Sequence, residues 1–224
     1  MELKLSKIIL SITISAVLLA ANPGTATAAC SGQTEIKLAM FRPDSSVWYS
    51  HSDACSFTAI RFDGENNTPV AADYDGDGII DAAVWNAVSR IWTVSSSRTG
   101  QMVTYDLSKI TRTADSQVVP VPADYDGDGK ADIAVWHPAS GEWIALMSGT
   151  GYTPVTASRW GGHGDVPVQA DYDGDGQADF AVFRRAENAW LILESKSGRE
   201  LRVEFGSTGT DILVPADYTG DGRA

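Results

Sequence analysis

Short apolar runs bounded by turn-forming residues recur along most of the chain. Residues 119–123 (VPVPA) lead into an aspartate-rich loop and 133–136 (IAVW) follow it. His137-Pro138-Ala139-Ser140-Gly141 then breaks the pattern, before the runs 143–147 (WIALM) and 153–158 (TPVTAS). Runs this short, rich in Val, Ile, Trp and Thr and punctuated by Gly, Pro, Asp and Ser, predict β-strands. Beyond the N-terminal apolar run, no stretch carries helical periodicity.

The pattern repeats. PVAADYDGDGIIDAAVW from Pro69, PVPADYDGDGKADIAVW from Pro120 and PVQADYDGDGQADFAVF from Pro167 align without gaps, and LVPADYTGDGRA begins again at Leu213. The loops start at Asp73, Asp124, Asp171 and Asp217, in steps of 51, 47 and 46 residues. Trp48, Trp92, Trp143 and Trp190 keep the same phase. A period in this range means one supersecondary unit stacked on the next. Four short strands per unit predict an all-β protein, a β-propeller of four-stranded blades. A partial first blade covers about residues 35–62: 36–40, 47–50 and 58–62 match strands two to four, with Arg42-Pro43-Asp44-Ser45-Ser46 as the turn. Residues 213–216 supply a lone first strand. The strand total fits four blades closed into a ring and equally fits a fragment of a larger propeller.

Each complete loop reads D-x-D-G-D-G-x-x-D. Asp73, Asp75, Asp77 and Asp81 occupy positions 1, 3, 5 and 9 of the first loop. Asp124, Asp126, Asp128 and Asp132 do so in the second, and Asp171, Asp173, Asp175 and Asp179 in the third. Four carboxylates within nine residues repel one another unless a cation sits among them. Glycine at position 6 allows a sharp reversal that aims the position-7 carbonyl inward, giving Ile79, Lys130 and Gln177 as further ligands. An all-oxygen cage suits Ca²⁺; zinc prefers nitrogen and sulfur, and magnesium a rigid octahedron. The loop is not a full EF-hand: position 12, where a bidentate Glu belongs, holds Val84, Val135 and Val182.

These loops, the PVPAD lead-in, the AVW runs and the FRP and WHP turns resemble the FG-GAP/VCBS repeats of integrin-α-like β-propellers, over about residues 35–224. The resemblance implies calcium between the first two strands of a blade, stiffening the propeller. It also implies an extracellular, non-catalytic binding or adhesion role with a protein or glycan ligand. Two features depart from the pattern. The first blade lacks its own loop, and the fourth loop has Thr219 at position 3 and retains only Asp217 and Asp221.

The N-terminus reads differently. Lys4 and Lys7 precede an apolar run over residues 8–21, too short to span a bilayer, and Ala26-Thr27-Ala28 gives a small-x-small site. Residues 1–28 are therefore expected to be a secretory signal peptide, leaving 29–224 as the secreted, propeller-forming chain. Lipid anchoring at Cys30 is disfavoured, because Thr27 stands where the modification box has Leu. Cys30 and Cys55 are the only cysteines, and an oxidising compartment permits a disulfide between them.

Net charge is −12, which disfavours nucleic acid or anionic lipid as a partner, and no later apolar run reaches membrane length. Twelve of the 29 acids sit in the three complete loops. The remaining chemistry is sparse. No G-x-S-x-G setting occurs, and His51, His137 and His163 fall at unrelated repeat positions without metal spacing. The repeated tryptophans fit blade packing better than sugar stacking. An ancillary propeller or remnant of a secreted polysaccharide-degrading enzyme, and a lectin built on the inter-blade aromatics, are the alternative readings.

Overall fold

The computed structural model describes residues 38–52, 56–111, 118–207 and 211–224. The expected leader, Cys30 and Cys55 lie outside the described residues. The chain divides into two compact units, one of residues 1–41 with 48–60 and one of residues 42–47 with 61–224. No α-helix occurs among the described residues, and none there is long and apolar enough to cross a membrane.

β1 (Leu38–Arg42), β2 (Val47–Ser52) and β3 (Ser56–Arg61), all but their residues 42, 47 and 61 in the first unit, form a three-stranded sheet in sequence order. Phe41 and Trp48 meet across it, ring centroids 6.0 Å apart. The runs expected at 36–40, 47–50 and 58–62 overlap these strands, but β1 continues through Arg42, which was expected in the turn, and β3 begins at Ser56 and ends at Arg61.

The second unit holds three four-stranded antiparallel sheets, each a meander. They comprise β4 (Asn67–Pro69), β5 (Ala82–Asn86), β6 (Ile91–Ser95) and β7 (Met102–Asp106); β8 (Val119–Pro120), β9 (Ile133–His137), β10 (Glu142–Met147) and β11 (Thr153–Arg159); and β12 (Asp165–Pro167), β13 (Phe180–Arg184), β14 (Ala189–Leu193) and β15 (Glu200–Glu204). The same aromatic pair sits at the same register in each: Trp85 opposite Trp92, Trp136 opposite Trp143, Phe183 opposite Trp190. Their ring centroids lie 5.8, 6.0 and 5.5 Å apart.

The second strand of each sheet explains why its sequence is a continuous apolar run instead of an alternating one. In β9, Ile133 and Val135 join a core shared with Trp85, Trp92 and Val94 of the preceding sheet. Ala134 and Trp136 face the other way, into a core shared with Phe180 and Val182 of the following sheet. Side chains alternate across a strand, so burial on both faces requires apolar residues throughout. The three sheets of this unit are therefore stacked face to face, and β9 and β13 each serve two cores. Trp85, Trp92, Trp136 and Trp143 are at most 1% exposed.

Two expectations need correction. The first strand of the second repeat is shorter than its apolar run: pairing covers Val119–Pro120, and the chain leaves the ladder at Pro122, as it does at Ala71 and Gln169 in the other repeats, where it turns into the loop. It touches the ladder again only at the Ala123–Asp132 bridge, which closes the loop. Residues 213–216 carry no strand. In the other repeats the first strand pairs with residues that follow position 9. Leu213 packs instead against the core of β13 and β14.

Candidate metal centres

All three complete loops occupy the same place, between the first and second strands of a sheet, and each is pinned by an Ala–Asp bridge: Ala72–Asp81, Ala123–Asp132 and Ala170–Asp179. Position 1 organises the turn. In the second loop the Asp124 carboxylate accepts the Gly127 N–H at 2.6 Å and the Gly129 N–H at 2.8 Å. Asp73 and Asp171 accept the matching amides. Both glycines of each loop have positive φ, 78° and 84° at Gly127 and Gly129, a region other residues enter at a cost.

Position 9 is the buried acid. Asp81, Asp132 and Asp179 have no solvent exposure. Each accepts two amides: from Tyr74, Tyr125 or Tyr172 at position 2, and from Ser97, Ser148 or Ser195 at the end of the third strand, at 2.6 to 2.9 Å. The tyrosines also donate their hydroxyls to the carbonyls of Val70, Val121 and Val168. Neither residue type stood out as part of the site in the sequence. The signal was present: a tyrosine follows every first aspartate, and a serine lies 24 residues after each of the three.

The structure brings positions 1, 3 and 9 together. Asp73, Asp75 and Asp81 offer carboxylate oxygens within 4.8 Å of one another, as do Asp124, Asp126 and Asp132, and Asp171, Asp173 and Asp179. The position-5 acids stand outside these sets. Asp77 and Asp128 accept the Ile79 and Lys130 amides and the hydroxyls of Ser97 and Ser148, while Asp175 accepts the Gln177 amide. The fourth loop keeps the turn without the acid cluster: Asp217 accepts the amides of Gly220 and Gly222, and its carboxyl is held low by those amides, Gly222 foremost.

Electrostatically the clusters are costly as they stand. Burial pushes the Asp132 carboxyl up to about 6, with Asp126 and Asp124 adding to the shift and the Ser148 and Tyr125 amides opposing it. Burial also raises Asp124 and Asp179. Asp75 goes the other way, held low by the Ser96 hydroxyl. Asp75 Oδ1 is buried without a hydrogen-bond donor. Clustered carboxylate oxygens, one of them without a hydrogen bond and met only by the Arg98 guanidinium at 3.8 Å, fit a hard divalent cation such as Ca²⁺.

The loops are also joined to one another. The Ala131 N–H donates to the Asp73 carbonyl at 2.6 Å, Ala178 to Asp124 at 2.6 Å, and Ala224 to Asp171 at 2.8 Å. In each case position 8 of one loop reaches position 1 of the loop before. The position-7 side chain completes the contact by lying over the preceding position-4 glycine. A Cβ added at Gly76, Gly127 or Gly174 would meet Cγ of Lys130, Gln177 or Arg223 at 3.0, 3.0 and 2.9 Å. Position 4 therefore needs glycine both for its dihedral and for the room it leaves.

The repeated aromatics do not form a sugar platform in the middle repeats, because Trp92 and Trp143 are fully covered. The Trp136 and Trp143 indoles both donate to the Trp160 carbonyl at 3.1 Å. His137 is buried in β9 and His163 is exposed on a loop.

Comparison with solved structures gives the same architecture. A streptogramin B lyase superposes with a TM-score of 0.52 at 10% identity, covering 75% of this chain and 51% of that one. A virginiamycin B lyase from Staphylococcus aureus gives 0.52 at 9% identity, covering 77% and 53%. A catalytically inactive form of the enzyme from the same organism, with quinupristin, gives 0.51 at 9%, covering 77% and 59%. These lyases are β-propeller-like, and at such identities the likeness is one of fold. The chain spans a little over half their length. No curated protein matches the sequence. The model of the FG-GAP-like repeat matches twice, at residues 73–135 and 124–182, each match beginning on the first aspartate of a loop. With its loops, sheets and register all repeating on that unit, the chain is an FG-GAP-like repeat protein.

Proposed function

We propose that the chain forms a calcium-stabilised β-propeller that is exported and presents a non-catalytic binding or adhesion surface to an extracellular protein or glycan. The observation that carries this reading is the threefold recurrence of one acid cluster on the same loop of successive sheets. Asp73, Asp75 and Asp81 would hold the first ion, Asp124, Asp126 and Asp132 the second, and Asp171, Asp173 and Asp179 the third. Asp77, Asp128 and Asp175 and the carbonyls of Ile79, Lys130 and Gln177 would complete the shells. Bound calcium supplies charge neutralisation and rigidity. The loop carboxylates already accept backbone amides, which suits a structural role. Export goes with removal of residues 1–28 and a Cys30–Cys55 disulfide.

Calcium and chelator melts of the purified chain test the reading. A ligand at 100 times its Kd stabilises by about 2.7 kcal/mol per site. Millimolar Ca²⁺ should therefore raise Tm by several degrees over EGTA, given the weak affinities of extracellular modules. An unchanged Tm overturns the proposal. A glycan array and a polysaccharide-turnover assay on the same preparation separate the module from a lectin or an enzyme part.

A further inference from the structure

The three acid clusters differ in the cations that the chain itself places beside them. Two independent elements create the difference. The first is the turn after the third strand. In the first repeat it brings Arg98 to 3.8 Å from Asp75 and 3.9 Å from Asp77. In the third it brings Lys196 to 4.0 Å from Asp175. In the second repeat the same position is Gly149, whose N–H donates to Asp126 Oδ2 at 3.0 Å. A Cβ at Gly149 would stand 2.8 Å from that oxygen, so the close approach leaves room only for glycine.

The second element is the side chain that lies over each loop from the next repeat. Over the first loop it is Lys130 and over the third Arg223, both cationic; over the second it is Gln177, which is neutral. The outer loops thus each have at least two of the chain's own positive groups around them, and the third also feels Arg199 through Asp173. From these two elements the middle loop has none.

Resting on the calcium reading above, we propose that the middle loop, Asp124 to Asp132, is the tight site, and that the outer two are weaker because bound calcium there must compete with Arg98 and Lys130, or with Lys196 and Arg223. The sites fill in order, middle first. A unit charge some 8 Å from a divalent ion in water shifts its affinity by roughly three- to tenfold, and by less at high salt.

The test is calorimetric titration of the chelator-stripped chain with Ca²⁺ at low ionic strength. The unaltered chain should give one tight site and two weaker ones. Asp126→Asn should remove the tight phase. Arg98→Gln and Lys196→Gln, at side chains 55% and 66% exposed, should each tighten one weak site by about three- to tenfold. Gln177→Lys, which installs the residue found at position 130, should loosen the tight site by a similar factor. Three equal sites, a tight phase that survives Asp126→Asn, or affinities indifferent to the three charge changes would overturn the ranking while leaving calcium binding intact. No heat from any chain, with circular dichroism unchanged from the parent, would overturn both the ranking and the calcium reading.

Discussion

Substituting alanine at Gly127 and at Gly129 separates two reasons for a glycine that the sequence cannot tell apart. Both residues have left-handed backbone, φ 78° and 84°. An L-residue there costs about 1–2 kcal/mol. At Gly129 that is the whole cost, because nothing lies within 4 Å of an added Cβ. At Gly127 the new Cβ would also press on Gln177, at 3.0 Å from Cγ and 3.3 Å from Nε2. Moving that side chain off rotamer or out of contact adds about 0.5–1.5 kcal/mol. Gly129→Ala should therefore destabilise by about 1–2 kcal/mol and Gly127→Ala by about 2–3. Urea unfolding in EGTA, which removes any contribution from ions, reads both. A Gln177→Ala background should relieve only the excess at Gly127. Equal effects of the two substitutions, or strict additivity with Gln177→Ala, would refute the interlocking of adjacent loops.

Other consequences are open to direct measurement. Trp136→Ala removes an indole that is 1% exposed and packs on Trp143, and should cost about 3–5 kcal/mol by denaturant unfolding. Arg184→Ala unpairs Asp165, whose side chain is 3% exposed and receives two guanidinium hydrogen bonds at 3.0 Å; about 1–3 kcal/mol should be lost by denaturant unfolding. In EGTA, Asp132 should favour the fold at low pH. Its folded pKa, about 6, lies above the ordinary value, so its contribution is complete below about pH 4 and disappears as pH rises through 6. Asp132→Asn should flatten that part of the stability profile. With Ca²⁺ present the slope should reverse, because ligation needs the carboxylate.

Much of this was legible in the sequence, because it is local. Each acid loop lies within nine residues, and the strand runs around it are bounded by their own turns. The convergence of positions 1, 3 and 9 was less legible. The role of position 5 depends on Ser97 and Ser148, some 20 residues on, which fold back to meet Asp77 and Asp128. The link from Ala131 to Asp73 spans 58 residues and uses backbone atoms, which leave no mark in a residue pattern. The double burial of β9 could be read as an apolar run, but which residues face which neighbour follows only from the stacking. Segment 213–216 has the composition of a strand and carries none, a difference that composition does not reveal.

The way each loop is covered gives the array a direction. A unit arrives with the residue that shelters its predecessor, Lys130 over Gly76, Gln177 over Gly127 or Arg223 over Gly174. Units of this kind can be duplicated in tandem without new contacts being invented, since every copy brings the cap for the one upstream. The same asymmetry means that excising a unit strips protection from its N-terminal neighbour and leaves its C-terminal neighbour's loop untouched. Recombination at the aspartate loops should consequently be tolerated when the downstream half of the junction is kept whole.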